Sequence, residues 1–228
     1  MVKVKLHPAF SFLRRLSENN NREWFAAHRA EYDEVRELWL EELGRLIARL
    51  SVHDSRVARI TPKQAAYRIY RDTRFSSDKT PYKTYFSAAF PVLGRRDERA
   101  GYYIQMDERS GDGGLYGGMY CLDSAQLRKM RHAIVDNIDE FRGILAEPEL
   151  SRLYGDLWVG PALKTVPNGW PKDHPDADLL RLKSYGKFCE LKPSFFSLPD
   201  WPEQAADMLA PLRPLVDFIN YSIDEQVS

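Results

Sequence analysis

The stretch YFSAAFPVL, residues 85–93, is decisive for the fold class of this chain. It is short and rich in aromatic and β-branched residues, which is typical of a β-strand. Similar stretches occur at residues 67–70, 102–106, 115–122 and 186–191, with turn-forming residues between them. Strands that follow one another along a chain favour antiparallel pairing. We therefore predict an antiparallel sheet of four to five strands.

Two long helices are predicted to cover this sheet. Apolar residues recur at steps of three or four from Trp24 to Leu50, which predicts a helix of roughly 28 residues. A second run of about 22 residues follows Asp123, which forms a capping-box pattern with Gln126. This arrangement places the chain in the α+β class. No linker or repeat interrupts it, so residues 1–228 are expected to form a single compact domain.

The overall composition excludes several classes of protein. The 228 residues carry no formal net charge and 43% are apolar, so attraction to nucleic acid or membrane is not a property of the whole chain. No apolar run is long enough to cross a membrane, and the first residues are too polar for a signal peptide. Cys121 and Cys189 form neither a metal-ligand spacing nor a disulfide framework. We therefore expect a soluble, cytoplasmic protein.

Positive charge is concentrated in the stretch RIYRDTRFSSDKTPYKTYF, residues 68–86. Residues 61–96 contain eight Lys and Arg against two Asp and Glu. A guanidinium fork matches the oxygens of a phosphate or carboxylate, so this stretch predicts a pocket for a small anionic ligand. The predicted ligand-binding residues are Arg68, Arg71, Arg74, Lys79, Lys83 and Tyr82. In a strand Arg68 and Arg71 would face opposite sides, whereas in a helical turn they would share a face.

Three other interpretations of the same stretch stay open. The cations could pair with Asp72, Asp78 and the acidic face of the long helix, which would make the stretch an ion-paired structural corner. It could instead be a docking loop for an acidic protein partner. Aromatic residues among Arg and Lys also occur in single-stranded nucleic-acid sites, but one short patch on a neutral protein argues against that partner.

A second candidate site is the stretch DHPDAD, residues 173–178. Asp173, His174, Asp176 and Asp178 are residue types that hold a divalent metal or act as an acid–base pair, so a metal-assisted hydrolase is the alternative function. A carboxylate before Leu179 is also typical of a helix cap. The sequence contains none of the common nucleophile or dinucleotide motifs, and it leaves open whether the protein is an enzyme and which cofactor, if any, it uses.

Some single residues also carry expectations. The paired glycines Gly117 and Gly118, inside a predicted strand, indicate a bulge or a close approach of backbone or ligand. His28 lies on the apolar stripe of the long helix and is expected to be structural. His7, His53 and His132 have no recognisable partner in the sequence.

The assembled chain resembles the domain of unknown function 2461 family. The matching stretches are FSFLRRLSENNNREWFAAHRAEY, RIYRDTRFSSDKTPYK, GGMYCLDSAQLRKMRHAI, LKTVPNGWPKDHPDADLLRLKSY and PLRPLVDFINY. They run in order over almost the whole chain. The resemblance implies one intact domain and marks the Arg/Lys stretch and PNGWPKDHPDADLL as its most characteristic parts. It implies no activity and no catalytic residue.

Overall fold

The computed structural model describes residues 7–93, 98–109, 111–158, 160 and 162–224. Its α-helices are α1 (Pro8–Glu18), α2 (Arg22–Ala27), α3 (Arg29–His53), α4 (Pro62–Ala65), α5 (Ser124–Asp136), α6 (Ile138–Leu145), α7 (Pro148–Tyr154), α8 (Ala177–Arg181), α9 (Trp201–Leu209) and α10 (Arg213–Asp224). Its strands are β1 (Phe86–Pro91), β2 (Gly101–Met106), β3 (Gly114–Met119) and β4 (Tyr185–Glu190). Short 3-10 helices lie at Ser55–Arg59, Phe195–Ser197 and Ala210–Leu212.

The strands form one open antiparallel sheet in the order β1-β2-β3-β4. With its helices this confirms the predicted α+β class, with four strands in the sheet. The predicted strand at residues 67–70 is not a regular strand: it has one isolated bridge, from Tyr70 to Tyr82, and a second one, from Ala66 to Ala88, directly precedes it. Pro81 stands in the opposing segment and has no N–H to donate, so a regular ladder cannot continue there.

Each of the two long predicted helices is divided in the structure. The first is split at His28, whose backbone leaves the helical conformation and whose ring stacks on Trp24 at 3.9 Å. The second is split at Asn137, whose side-chain amide donates to the Ala133 carbonyl at 3.1 Å. Such a polar side chain competes with the backbone for hydrogen bonds and favours a helix end. The capping box of Asp123 and Gln126 is confirmed at the start of α5.

The chain divides into two compact units. The first comprises Met1–Phe90, Tyr103–Leu115 and Glu190–Met208. The second comprises Pro91–Tyr102, Tyr116–Cys189 and Leu209–Ser228. A single domain over residues 1–228 stays a prediction.

The core of the first unit is built around Trp39 of α3. Its ring stacks on Trp201 at 5.8 Å and on Phe86 at 5.9 Å, and all three side chains are buried. Aromatic rings of this size bury large apolar areas and dominate core energetics. The aromatic stripe predicted for the long helix therefore does face inward, against β1 and the start of α9.

A buried polar contact accompanies this aromatic core. The Glu42 carboxylate lies 3.0 Å from Nε2 of His7 and accepts the indole N–H of Trp201 at 3.1 Å. Nδ1 of His7 accepts the N–H of Ala9 at 3.1 Å, so a neutral His7 ring carries its proton on Nε2 and donates it to Glu42. His7 therefore has a partner that the sequence did not reveal, because 35 residues separate the two side chains.

In the second unit a buried lysine joins two helix ends. Lys187 of β4 is 1% exposed, and its ammonium donates to the carbonyls of Leu145 and Gly155. These carbonyls lie at the ends of α6 and α7, where the helix dipole favours a positive charge. Burial lowers the pKa of Lys187. The lysine is accounted for by this structural role.

The paired glycines of β3 allow two close approaches within the second unit. A Cβ on Gly117 would lie 2.6 Å from the Leu212 side chain. Gly118 has φ +136°, and a Cβ there would lie 2.2 Å from the carbonyl oxygen of Tyr185. The predicted close approach is confirmed, and its partners are a side chain and the backbone of β4.

The Glu42 contact predicts a large difference between neighbouring glutamates. Glu42→Ala removes the acceptor of two buried N–H groups, each of which costs about 1–3 kcal/mol when left unsatisfied, so we expect a loss of about 3 kcal/mol in the free energy of unfolding. Glu41→Ala, an exposed neighbour on the same helix, should change it by less than about 0.5 kcal/mol. Chemical denaturation measures both, and equal losses would contradict the assigned contact.

Two glycines of the second unit should respond to alanine in opposite ways. Gly118→Ala places a methyl group against backbone in a left-handed conformation and should lower the free energy of unfolding by more than about 2 kcal/mol. Gly143→Ala, inside α6 with open space around the added Cβ, should raise it by about 0.5–1 kcal/mol. Thermal and chemical unfolding compare the two variants, and a neutral Gly118→Ala would disprove the close approach.

Candidate functional site

The basic stretch folds as an irregular hairpin, here called the basic hairpin, residues 66–88. Its arms are joined by Tyr67 N–H to Ser87 O (2.9 Å), Lys83 N–H to Ile69 O (2.7 Å) and Arg71 N–H to Pro81 O (2.9 Å). Antiparallel bridges connect the same arms. The segment after Tyr67 therefore pairs as an antiparallel arm and does not form the helical turn that the sequence also allowed.

The tip of the basic hairpin, residues 71–81, is held together by its own charges. The Arg71 guanidinium donates to the Asp78 carboxylate and to the Thr80 hydroxyl. Beside it Arg74 donates to both oxygens of Asp72, at 3.0 and 2.6 Å. The Lys79 ammonium donates to the Thr73 carbonyl at 2.8 Å. The ion-paired interpretation is thus correct for Arg71 and Arg74, whose partners are the two aspartates that it named, Asp78 and Asp72.

These contacts shift the pKa values of the two aspartates. The hydrogen bond from Arg74 lowers the pKa of Asp72 to about 2. The pKa of Asp78 is also lowered to about 2, first by the Thr80 backbone N–H and then by Arg71. Both carboxylates are therefore charged at neutral pH, and each stays paired until the solution becomes strongly acidic.

Tyr82 and Arg68 lie away from the tip contacts. Tyr82 is 5% exposed, and its ring stacks on Phe25 at 4.0 Å. The Asn20 side chain accepts the Tyr82 backbone N–H and donates to the Tyr82 carbonyl. Tyr82 is thus an anchor of the hairpin in the core of the first unit. Arg68 is exposed, and its side chain makes no hydrogen bond to any residue that the structure describes. Its positive charge also lowers the pKa of Asp72.

The base of the hairpin contributes to a group of three tyrosines and two cations. We call this group the tyrosine face, and its members are Tyr67, Lys83, Tyr85, Tyr103 and Arg109. The Lys83 ammonium lies 4.9 Å from the Tyr67 ring centre and 5.8 Å from that of Tyr85. The Arg109 guanidinium lies 6.0 Å from the Tyr85 ring centre. Tyr67 and Tyr103 meet edge to face at 6.3 Å. Two cations therefore share one aromatic ring.

Arg109 is held in place by a buried carboxylate. Asp107 is 1% exposed and accepts the Arg109 backbone N–H at 3.0 Å and its Nη2–H at 2.7 Å. The Gln105 amide also donates to Asp107, at 3.2 Å, and its oxygen accepts the Tyr103 hydroxyl. Asp112 lies 3.3 Å from Nε of Arg109. Nη1 of Arg109 forms no hydrogen bond with the described residues, so this side chain is oriented yet keeps donors available.

The hydroxyls of Tyr85 and Tyr103 stay protonated near neutral pH. Burial raises the pKa of Tyr85, and the positive charges of Arg109 and Arg71 only partly oppose this effect. Burial also raises the pKa of Tyr103, against a hydrogen bond with Ser87. Both hydroxyls are thus neutral donors, and that of Tyr103 is already used by the Gln105 side-chain oxygen.

The six predicted ligand-binding residues fall into three places. Lys83 belongs to the tyrosine face, and Arg71 is near enough to affect the pKa of Tyr85. Arg74 and Lys79 lie in the tip, Arg68 precedes the tip and acts on Asp72 through its charge, and Tyr82 lies in the core. A ligand-binding role for this set stays a prediction. Sequence reasoning missed Arg109, although Tyr103, Gln105, Asp107 and Arg109 recur at every second position, which is the spacing of one strand face.

Side chains of the second candidate stretch, residues 173–178, form hydrogen bonds and ion pairs with neighbouring residues. Asp176 is buried and accepts from Arg142 at 2.6 Å, and Asp178 pairs with Arg181. Nδ1 of His174 accepts the Asp176 N–H at 3.0 Å. Asp176 precedes α8 at the cap position, but its side chain makes no cap bond. Within the described ranges no three His, Cys, Asp or Glu side chains cluster as a metal would require.

The fold and this geometry define an α+β protein with an open antiparallel sheet and a braced basic hairpin. The family model described as conserved hypothetical protein (DUF2461) matches residues 8–218, and the chain belongs to this family. The resemblance found in the sequence is thereby confirmed. No curated protein and no solved structure matches the chain. None of the helices in the described ranges is long and apolar enough to span a membrane.

The tip contacts predict separable acid titrations. In Arg74→Ala the pKa of Asp72 should rise from about 2 toward its ordinary value, because its strongest hydrogen-bond partner is lost. The pKa of Asp78 should stay at about 2, because its partners Thr80 and Arg71 are unchanged. NMR titration of the two side-chain carboxyl carbons measures both values. Equal shifts of the two aspartates in this variant would show that the assigned pairs are wrong.

Proposed function

We propose that the protein binds a small anionic, phosphate-bearing ligand at the tyrosine face. Lys83 and Arg109 are the first contacts, and Arg71 adds a third charge nearby. The supporting observation is that the cationic groups of Lys83 and Arg109 both lie within 6.0 Å of the Tyr85 ring centre. This refines the predicted site, because Arg109 joins it and Arg74 leaves it.

The donor types at this face suit phosphate oxygens. Arg109 presents a planar fork whose orientation is set by Asp107 before any ligand arrives, so little side-chain freedom is lost on binding. Lys83 supplies a compact ammonium charge with several donors. The protonated hydroxyl of Tyr85 adds a neutral donor, whereas the Tyr103 hydroxyl already donates to Gln105. An anion with several oxygens can use the Arg109, Lys83 and Tyr85 donors at once.

Negative charges at the same place limit the range of this attraction. Asp107 and Asp112 accompany Arg109, and Asp78 accompanies Arg71. The net field is therefore small, and recognition relies on close hydrogen bonds to the ligand more than on long-range steering. A ligand that offers only charge, without matching oxygens, should bind weakly. This favours a small molecule over a nucleic-acid chain.

We also propose that the protein is located in the cytoplasm. Cys121 and Cys189 form no disulfide bond in the described structure, which fits a reduced environment. A metal-assisted hydrolase is not part of the proposal, because the DHPDAD carboxylates Asp176 and Asp178 are each paired with an arginine.

Calorimetric titration with phosphate, nucleotides and sugar phosphates tests the proposal. We expect at least one of them to bind the parent, and Lys83→Gln to weaken it by about tenfold or more, the loss of one charge-assisted contact. Arg109→Lys keeps the charge but loses the fork and should also weaken binding. Arg74→Ala is the matched control, since it removes a hairpin arginine whose partner is Asp72, and it should bind like the parent.

Two results would count against this site. One is the absence of binding by every compound in the set. The other is a bound anion whose affinity is the same in Lys83→Gln, Arg109→Lys and the parent. Denaturation curves of all variants establish that a loss of binding is not a loss of folding.

A further inference from the structure

The tip of the basic hairpin displays an apolar side chain. Phe75 is 96% exposed, the highest value among the large apolar side chains that the structure describes. Single exposed apolar residues are common on protein surfaces and need no explanation alone. Phe75 differs in its setting, because it lies in the tip of a hairpin whose backbone is braced on both sides of it.

The bracing pre-organises Phe75 for binding. On one side Asp72 accepts the backbone N–H of Arg74 at 3.2 Å as well as its guanidinium. On the other side Asp78 accepts the backbone N–H of Thr80 at 2.9 Å. The Lys79 ammonium closes the tip on the Thr73 carbonyl. A partner that binds Phe75 would therefore lose little conformational entropy in ordering the loop.

The charge around Phe75 indicates the chemistry of such a partner. Residues 68–81 contain four Lys and Arg against two Asp and Glu. The Arg74 guanidinium lies 5.8 Å from the Phe75 ring centre, so a cation and an aromatic ring are presented together. Aromatic and arginine side chains are the types that most often dominate the energy of protein interfaces.

We propose that the hairpin tip is a docking element in which Phe75 packs against an apolar side chain of a protein segment that also bears Asp or Glu. The carboxylates of that segment would face Arg68, Arg74 and Lys79. This interaction is independent of anion binding at the tyrosine face, which uses Lys83 and Arg109 at the base of the hairpin.

A protein segment fits the tip better than a membrane or a nucleic acid does. A continuous phosphate surface would also meet the charged carboxylates of Asp72 and Asp78, which belong to the same tip. A peptide can place separate carboxylates opposite the cations and avoid these aspartates. One phenylalanine also buries too little apolar area for stable anchoring in lipid.

Selection from a phage-displayed random-peptide library on the immobilised full chain tests the proposal. We expect enriched peptides that combine an apolar residue with nearby Asp or Glu. The corresponding synthetic peptides should bind Phe75→Ala about tenfold or more weakly than the parent, as expected for a buried aromatic anchor. Lys79→Glu should weaken them too, through charge repulsion.

Two control variants test whether peptide binding is specific to the hairpin tip. Tyr221→Ala removes another highly exposed ring, 72% exposed on α10, and should bind the peptides like the parent. Lys83→Gln should also leave peptide binding unchanged, while it weakens phosphate binding if the tyrosine face is an anion site. The two proposals therefore fail or succeed separately.

Three outcomes would overturn the docking proposal. They are the absence of any enriched peptide, enriched peptides that bind Phe75→Ala as tightly as the parent, and peptides without acidic residues. Binding of phosphatidylserine vesicles or of single-stranded DNA that is lost in Phe75→Ala would also overturn it, by assigning the tip to those partners.

Discussion

The tyrosine face depends on one buried carboxylate, that of Asp107. A charge with 1% exposure must be fully hydrogen-bonded, and Asp107 achieves this through Arg109 and Gln105. These hydrogen bonds also orient its partners. The Gln105 side-chain oxygen accepts a hydrogen bond from the Tyr103 hydroxyl, and the Arg109 guanidinium lies near the Tyr85 ring. Gly113 helps to keep Asp107 buried, because a Cβ there would lie 2.9 Å from the Asp107 carbonyl oxygen. The positions of the cations at this face follow from that constraint.

The basic hairpin uses its charges in two different ways. At the tip Arg71 and Arg74 neutralise carboxylates of the same loop and give it a defined shape, which displays Phe75. At the base Lys83 lies over two tyrosine rings and adds a charge to a surface that β2 also supplies. A count of charges along the sequence cannot separate these roles, because all the cations contribute equally to the local excess. Contacts with Asp72, Asp78 and Tyr85 distinguish them.

Several features of the fold could be predicted from local patterns, and others could not. Strand composition located β1 to β4, and the spacing of apolar residues located the helices. The breaks at His28 and Asn137 were missed, since one ring stack or one side-chain hydrogen bond outweighs a continuing apolar stripe. The contact of His7 with Glu42 was missed for another reason. Its partners are far apart in sequence, and neither has a local signature.

Composition and periodicity sufficed for the α+β class, the antiparallel sheet and the location of the basic stretch, because each of these is a property of neighbouring residues. The family resemblance rested on five matching stretches of sequence. Tertiary contacts alone decided which cations share a surface. Arg74 and Lys83 are nine positions apart on one hairpin, yet one meets Asp72 and the other meets Tyr67 and Tyr85. Arg109 joins Lys83 from the segment that follows β2. Electrostatic and hydrogen-bonding interactions act over a few ångströms of space, so separation along the chain does not predict them.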